Sequence, residues 1–311
     1  MIPPLVYGPV PSRRLGYSLG VDLLPFKTCS LDCVYCQLGP SRRTTVRRRE
    51  FVPLRAVLAD IRASLRREPR IEAITFSGSG EPTLHAGLGK IIAAVKAMTD
   101  IPVVVLTNSS TLGRPAVRKS LAAADVVVPS LDAATERVFK KINRPHASLT
   151  AAKIIDGLAA FRKSYRGQVW LEILLVKGVN DGPAHLRALR RAIARIRPDR
   201  VQLNTVYRPP AERSARPLAE AELERLKPLL GEGVEIVAVF PENNRPAAPA
   251  ALGPRLLELV GRRPETADGL ARSLGATVAE VRRAAAKLQA RGRVKVVLHD
   301  GREYFETSSR G

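Results

Sequence analysis

The stretch YSLGVDLLPFKTCSLDCVYCQLG, residues 17–39, joins an apolar strand pattern to a loop that carries three cysteines. Cys29, Cys33 and Cys36 are the only cysteines in the 311-residue chain. An odd and tightly clustered set of thiols is typical of metal binding or catalysis, not of a disulfide framework. The loop that follows this strand is therefore the first candidate for a functional site.

The choice of metal follows from the number of thiols. Structural zinc takes four ligands, usually as two spaced pairs, and the four histidines of this chain are scattered without partner spacing. Iron–sulfur clusters are normally held by four thiolates. Three thiolates on one loop would hold three irons of a four-iron cluster and leave the fourth iron open to a small chelating ligand.

The strand before the cysteines is the first of a series in which apolar strands and amphipathic helices alternate. Further strand patterns occur at 71–80, 102–110, 125–132, 168–181 and 200–210. Such alternation predicts an α/β fold with a parallel sheet, either a partial (β/α)6-type or a full TIM-like barrel, over residues 1–243. Functional groups then belong at the C-terminal ends of the strands, where the cysteine loop and the other unusual polar clusters all fall.

Composition changes after the barrel pattern. Residues 244–253 are rich in Pro, Ala and Asn and are predicted to form a linker. Residues 254–311 have three helical patterns and two strands about the turn HDGR, which resembles a winged helix-turn-helix domain. Its last helical pattern carries four cations, at Arg282, Arg283, Lys287 and Arg291. The domain is predicted to bind nucleic acid, and docking of a protein remains the alternative.

Charge and hydropathy limit the partners and the location. The formal net charge is +22, which favours polyanions such as nucleic acid, although a bias toward Arg on solvated faces gives the same number. No run of 18 uncharged apolar residues occurs and no signal peptide pattern opens the chain. We therefore expect a cytoplasmic protein without membrane association.

The cysteine loop also resembles a known family. CSLDCVYCQ (29–37) is similar to the C-x3-C-x2-C signature of radical S-adenosylmethionine (SAM) enzymes, including the aromatic residue Tyr35 before the last cysteine. SGSGEP (77–82) resembles the family's glycine-rich turn after the second strand, with Ser79 where glycine is common. The resemblance covers roughly residues 15–240 and implies a [4Fe–4S] cluster and SAM as cofactors, with reductive cleavage of SAM to a 5′-deoxyadenosyl radical.

The resemblance implies roles for individual residues. Cys29, Cys33 and Cys36 would ligate the cluster, and the turn residues Gly78, Ser79, Gly80 and Glu81 would bind the methionine amino group. Strand-end residues that would contact the rest of SAM are Asn108, Ser130, Asp132, Glu172 and Val176. Residue types alone leave alternatives open, since Tyr35 could be a packing aromatic, Asn108 a strand-end cap and Asp132 the N-cap of the next helix.

Other polar residues are candidates for substrate or anion binding. KINRPH (141–146) would serve equally well as a phosphate cradle or as a solvated turn. The full set of candidates is Arg13, Arg14, Lys141, Arg144, His146, Asn204 and Arg208.

Three segments resemble one subgroup, the iron–sulfur oxidoreductase-like proteins grouped with the tRNA wybutosine-synthesising enzymes. They are GPVPSRRLGYSLGVDLLP (8–25), KINRPH and LNTVYRPP (203–210). No cysteine precedes Cys29, so the wyosine-forming reaction with its second cluster does not fit. The cysteine count likewise excludes methylthiotransferase-like members and the dual-cysteine RNA methyltransferases.

We predict from these features a single-cluster enzyme that modifies tRNA or another nucleic acid. It would take electrons from an external donor of the flavodoxin or ferredoxin type. The alternatives are the same chemistry on a peptide, protein or small metabolite, and a cluster-based redox sensor that binds DNA.

Overall fold

The computed structural model describes residues 5–12, 14–41, 43–68, 70–237 and 252–308. Eight strands form one sheet in the order in which they follow along the chain, and every pair from β2 to β8 is parallel. The strands are β1 Val6–Ser12, β2 Gly16–Val21, β3 Ala73–Phe76, β4 Val103–Thr107, β5 Val126–Pro129, β6 Gln168–Leu175, β7 Arg200–Thr205 and β8 Val234–Ile236. The predicted α/β architecture is confirmed in its partial form, because no ladder joins β1 to β8 among the described residues.

Helices connect successive parallel strands and cover the outside of the sheet. They are α1 Leu54–Arg67, α2 Leu88–Lys96, α3 Pro115–Leu121, α4 Glu136–Asn143, α5 Ala151–Ser164, α6 Pro183–Ile196 and α7 Glu220–Leu230. A large apolar core lies between the helices and the sheet. The strands contribute to it through short, buried β-branched runs such as VVVP in β5. A smaller apolar group inside the curved sheet includes Leu15, Leu106 and Trp170 and fills the barrel on that side.

Strand β1 was not anticipated from the sequence. It pairs antiparallel with β2, with Tyr7 opposite Gly20 and Ser12 opposite Gly16. Pro9 and Pro11 lie within it, which an edge strand tolerates because half of its N–H groups face away from the sheet. A Cβ on Gly20 would lie 2.1 Å from the Tyr7 ring, so glycine at this position lets the ring cross the barrel interior.

The C-terminal unit, residues 252–308, packs against this edge strand. It consists of α8 Leu252–Arg262, α9 Ala267–Leu274, α10 Val278–Ala290 and the hairpin strands β9 Val294–His299 and β10 Arg302–Thr307. Thr266 and Thr277 cap α9 and α10, and Tyr7 and Val10 of β1 belong to the apolar core of the unit. The observed order of three helices and two strands is the predicted order. Most of the predicted linker, up to residue 251, lies outside the described residues.

None of the helices in the described ranges is both long and apolar enough to cross a membrane.

Candidate active site

The cysteine loop, residues 26–39, is held in place by the C-terminal end of α4. The backbone N–H of Val34 donates to the carbonyl of Ile142 at 2.9 Å, and that of Asp32 to the carbonyl of Asn143 at 2.9 Å. The last carbonyls of a helix have no intrahelical partner, so the loop satisfies them. His146 N–H donates in turn to the carbonyl of Ser30 at 2.9 Å. The KINRPH segment thus braces the cysteine loop through its backbone.

Side-chain amides point at two of the three sulfurs. Asn108 Nδ2 lies 3.3 Å from Cys29 Sγ, and Asn143 Nδ2 lies 3.3 Å from Cys33 Sγ. N–H donors beside sulfur stabilise a thiolate and tune the metal that it binds. Asn108 also accepts from the Ser110 N–H at 3.0 Å, so it caps the strand end and contacts the site at once.

Burial makes the free thiolates unfavourable. It raises the pKa of Cys29 to about 12, with the Glu81 carboxylate adding to the effect. Burial likewise raises the pKa of Cys33 well above its usual value, with Asp132 adding. A cation that binds these sulfurs would reverse the balance, because metal binding removes the thiol proton.

The donor set fits a cluster better than a single ion. Within the described ranges, no three His, Cys, Asp or Glu side chains converge on one point as ligands of one metal ion. The thiolates of an iron–sulfur cluster bind different irons and therefore need not converge. Three neighbouring thiols with two amide donors are consistent with such a cluster.

The glycine turn, residues 77–82, lies directly beside the cysteine loop. Its Glu81 N–H donates to the carbonyl of Thr28 at 3.0 Å. A Cβ on Gly80 would lie 2.0 Å from that same carbonyl oxygen, and one on Gly78, which has φ +135°, would lie 2.5 Å from Asp22 Cγ. Both glycines are thus required by close approach, and the turn and the loop form one rigid surface.

The Glu81 side chain ties two strand ends together. Its carboxylate is buried and accepts from Thr107 Oγ1 at 2.7 Å, from Asn108 N at 2.6 Å and from Thr83 N at 3.1 Å. Burial raises the pKa of Glu81, and these donors oppose the shift. The carboxylate therefore positions the ends of β3 and β4.

Tyr35 and Asp132 form a second buried network. The Tyr35 hydroxyl and Asn143 Nδ2 both donate to Asp132 Oδ2, and Leu174 N donates to Oδ1 at 3.0 Å. Burial raises the pKa of Asp132 to about 6 and that of Tyr35 well above its usual value. The N-cap alternative for Asp132 is wrong, because α4 begins at Glu136 with Thr135 in the capping position. Tyr35 is not only a packing aromatic residue, because its hydroxyl donates a hydrogen bond to Asp132.

A cavity of about 360 Å³ opens inside the barrel under the cysteine loop. It brings together five of the predicted residues with Cys36, namely Arg14, Tyr35, Glu172, Asn204 and Arg208. Arg14 forms an ion pair with Glu172, and Asn204 Nδ2 donates to the same carboxylate at 2.9 Å. Asn108, Ser130 and Asp132 line a smaller recess that meets this cavity at Tyr35.

Three other predicted residues lie away from the cavity. Arg144 pairs with Glu212 at 2.7 Å, His146 contacts the Ser148 hydroxyl, and Lys141 is exposed. Arg13 lies outside the described residues.

Asp22 is a site residue that sequence reasoning missed. Its Oδ2 accepts from the Ser79 N–H at 3.0 Å, from Ser79 Oγ at 2.5 Å and from Arg262 Nη1 at 2.6 Å. The Asp22 side chain is 2% exposed and that of Arg262 is 17% exposed. The C-terminal unit thus contacts the glycine turn through a buried ion pair.

We expect Arg262→Gln to destabilise the protein by about 3 kcal/mol, because it leaves the buried Asp22 carboxylate without its cation. The matched control is Arg282→Gln in the same unit, whose pair with Glu303 has side chains 57% and 50% exposed, and whose loss should cost less than about 1 kcal/mol. Urea unfolding of both variants measures the difference. Equal midpoints for the two variants would contradict this account of the Asp22 contact.

A basic groove of about 880 Å³ runs past the outside of the cysteine loop. Among the described residues its cations are Lys27, which pairs with Asp32 at 3.6 Å and is only 8% exposed, and the exposed residues Arg43, Arg47 and Arg49. Gln37 lines both the groove and the barrel cavity, so the two are neighbours across the cysteine loop. The C-terminal hairpin contributes Val297 and Glu306 to the same groove.

Comparison with known proteins places the chain in a family. The model of the radical SAM superfamily matches residues 23–189, more than half of the chain. A UPF0026 protein of Helicobacter pylori (strain J99 / ATCC 700824) is 34% identical over 271 residues, which are 85% of this chain and 86% of that protein. A dual-specificity RNA methyltransferase RlmN of Nitratidesulfovibrio vulgaris (strain DP4) is 26% identical over 195 residues, 59% of this chain and 51% of that protein.

A further relative is a much longer protein. The "GTPase Obg" of Brachyspira hyodysenteriae (strain ATCC 49526 / WA1) is 41% identical over 222 residues, which are 71% of this chain. The chain spans only 33% of the length of that relative. No G-x-x-x-x-G-K-[ST] motif for phosphate binding occurs in the sequence of this chain.

One solved structure shares the fold over most of this chain. Streptococcus suis SuiB bound to S-adenosylmethionine matches 68% of this chain and 45% of its own chain, at 14% identity and a TM-score of 0.50. The sequence match and the fold lead to the same assignment. The chain belongs to the radical SAM superfamily, whose enzymes use a [4Fe–4S] cluster and SAM and generally need an external reductant.

Proposed function

We propose that Cys29, Cys33 and Cys36 hold the [4Fe–4S] cluster and leave one iron open to SAM. Support comes from the neighbouring backbones of the cysteine loop and the glycine turn, which lie within hydrogen-bond distance of each other. When bound, the cluster and SAM supply a 5′-deoxyadenosyl radical that abstracts hydrogen from a substrate.

The residues of the chain position and shelter this chemistry. Asn108 and Asn143 donate to two of the sulfurs. Glu81 holds Asn108 at the end of β4, and Asp132 accepts from the Asn143 amide at the end of α4. The backbone of the glycine turn and the recess at Asn108, Ser130 and Asp132 offer polar groups for SAM. Burial of the site keeps water from a reactive radical.

We infer further that the substrate is a nucleic acid, and we propose tRNA as that nucleic acid. The observation that carries this proposal is the basic groove, which presents the exposed cations Arg43, Arg47 and Arg49 and shares the lining residue Gln37 with the barrel cavity. Phosphate contacts hold a nucleic acid in register while a nucleotide reaches the reactive centre. The net charge of +22 and the similarity to an RNA methyltransferase point the same way.

The reaction would differ from that of the dual-cysteine methyltransferases, because all three cysteines of this chain would be ligands of the cluster.

We also propose that the C-terminal unit is a winged helix. Its α10 carries Arg282, Arg283 and Lys287, and Arg291 follows directly at the C-cap of this helix. These four cations would contact the same polyanion. Electrons would come from a donor of the flavodoxin or ferredoxin type.

Retention of bulk tRNA by the cluster-loaded protein at increasing salt tests the substrate proposal. We expect log K to fall steeply with log salt, because each phosphate contact releases counterions. Arg43→Gln/Arg47→Gln should reduce the slope by roughly 1.5 to 2, since two phosphate contacts are lost. Arg187→Gln/Arg190→Gln, two exposed cations on α6 outside the groove, is the control and should leave the slope unchanged.

If the affinity of the unaltered protein for tRNA does not change with salt, the nucleic-acid proposal is wrong and a peptide or small metabolite is the favoured substrate. Equal slopes for both double variants would show that RNA binds elsewhere on the surface. Formation of 5′-deoxyadenosine measured in the same samples separates a failure of substrate binding from a failure of the SAM chemistry.

A further inference from the structure

The barrel cavity has an unbalanced set of charges. Three guanidinium groups line it, those of Arg14, Arg208 and Arg263, and Glu172 is the one carboxylate among its described lining residues. Cations in a confined and partly dry space attract an anion more strongly than cations on a surface. The charge pattern therefore calls for a negatively charged ligand.

Arg14 has an unused donor. Its side chain is 12% exposed and its Nη2 pairs with Glu172. Its Nη1 is buried and finds no hydrogen-bond partner among the described residues. Buried N–H groups of a guanidinium are nearly always satisfied, so a ligand oxygen is the natural partner.

Arg208 and Arg263 share a single carboxylate. Arg208 Nη2 lies 2.7 Å from Glu265 Oε2, and Arg263 Nε lies 3.6 Å from the same oxygen. Glu265 is buried and already accepts from Thr266 N at 3.1 Å. Burial lowers the pKa of Arg263, and the neighbouring Arg208 lowers it further. Two cations on one acid leave one positive charge uncompensated at the wall of the cavity.

These groups belong to elements other than the cysteine loop. Arg14 precedes β2 while the cysteine loop follows it, and the Arg14 side chain crosses to Glu172 of β6 beside the apolar residue Leu15. Arg208 follows β7. Arg263 comes from the C-terminal unit, at the edge where β1 meets that unit. SAM at the cysteine loop would leave these cations to the substrate.

We propose that the barrel cavity binds an oxyanion of the substrate, a phosphate or a carboxylate, through Arg14 and Arg263. Arg208 would fix the cavity wall through its ion pair with Glu265. This inference rests on the proposed placement of SAM at the cysteine loop. The C-terminal unit thereby contributes a residue to the substrate site. For a nucleic-acid substrate the oxyanion is a phosphate of the reacting nucleotide, and for a small acid it is a carboxylate.

Binding of small oxyanions to the cluster-loaded, SAM-bound full chain tests the proposal. The probes are inorganic phosphate, guanosine 5′-monophosphate and acetate, each against sodium chloride at equal ionic strength, with dissociation constants taken from calorimetry. We expect Arg263→Gln to weaken phosphate binding roughly tenfold, as for the loss of one charge-assisted hydrogen bond. Arg14→Gln/Glu172→Gln removes both charges of this ion pair, avoids an unpaired buried acid, and should weaken binding similarly.

Arg187→Gln on α6, an exposed cation outside both the basic groove and the barrel cavity, is the matched control and should bind phosphate as the unaltered protein does. The proposal is overturned if no probe binds more tightly than chloride, or if both cavity variants bind phosphate as tightly as the control variant. Tighter binding of phosphate than of acetate assigns the site to a nucleotide. Tighter binding of acetate than of phosphate would support an oxyanion site but count against a nucleic-acid substrate. The salt dependence of tRNA retention tests the nucleic-acid proposal separately.

Discussion

Replacing Cys33 with alanine is expected to abolish cluster loading and the cleavage of SAM that depends on it. The chain has no fourth cysteine to replace the lost ligand. Cys33 is also the sulfur that receives the Asn143 amide. Two thiolates cannot hold a four-iron cluster that already leaves one iron open. Iron and acid-labile sulfide per chain after anaerobic reconstitution are the measurement.

The control for this variant is Tyr35→Phe, which keeps the ring between the same cysteines and removes only the hydroxyl that donates to Asp132. We expect it to load a cluster at the level of the unaltered protein. Cluster content in Cys33→Ala close to that of the unaltered protein would mean that these cysteines are not the ligands.

The second large effect is expected for Gly80→Ala. The new Cβ would lie 2.0 Å from the Thr28 carbonyl oxygen, a backbone atom that cannot rotate away. Relief of this overlap must separate the glycine turn from the cysteine loop and break the bond from Glu81 N to Thr28 O. We expect a loss of about 1–3 kcal/mol in the free energy of unfolding, together with weaker SAM binding.

Gly113→Ala is the matched control, because a Cβ there meets nothing within 4 Å. Urea unfolding reports stability, and calorimetry on the cluster-loaded variants reports SAM affinity. Equal SAM affinity in Gly80→Ala and the unaltered protein would show that the contact between turn and loop does not matter for SAM.

The parallel series could be predicted from the sequence because its signal is local. Runs such as VVVP in β5 are buried and apolar over one strand length. Strand ends were less predictable, since the expected strand 71–80 ends at Phe76 and the expected strand 168–181 ends at Leu175. In both cases buried side chains continue into the following turn, such as Ser79 and Val176, and apolar or small residues there extend the strand pattern.

Strand β1 could not be predicted because Pro9 and Pro11 suppress the strand signal. Its role depends instead on tertiary partners, since Tyr7 packs over Gly20 and into the core of the C-terminal unit.

The candidate site likewise has parts with a local sequence signal and parts that depend on tertiary contacts. The cysteines and the glycine turn have fixed spacing within a few residues, so their position after β2 and β3 could be read from the sequence. The contact between Asp22 and Arg262 spans 240 residues, and nothing in the local sequence of either residue signals it. Asn143 stood inside the KINRPH segment, but its amide matters only because α4 ends beside Cys33.

The most direct test of the central claim is the reductive cleavage of SAM by the anaerobically reconstituted protein. The sample is reduced with dithionite in the presence of SAM, and 5′-deoxyadenosine is assayed by chromatography. This account predicts that 5′-deoxyadenosine forms with the unaltered protein and not with Cys33→Ala. A complete [4Fe–4S] cluster that never cleaves SAM would contradict it and would favour a redox-sensing protein.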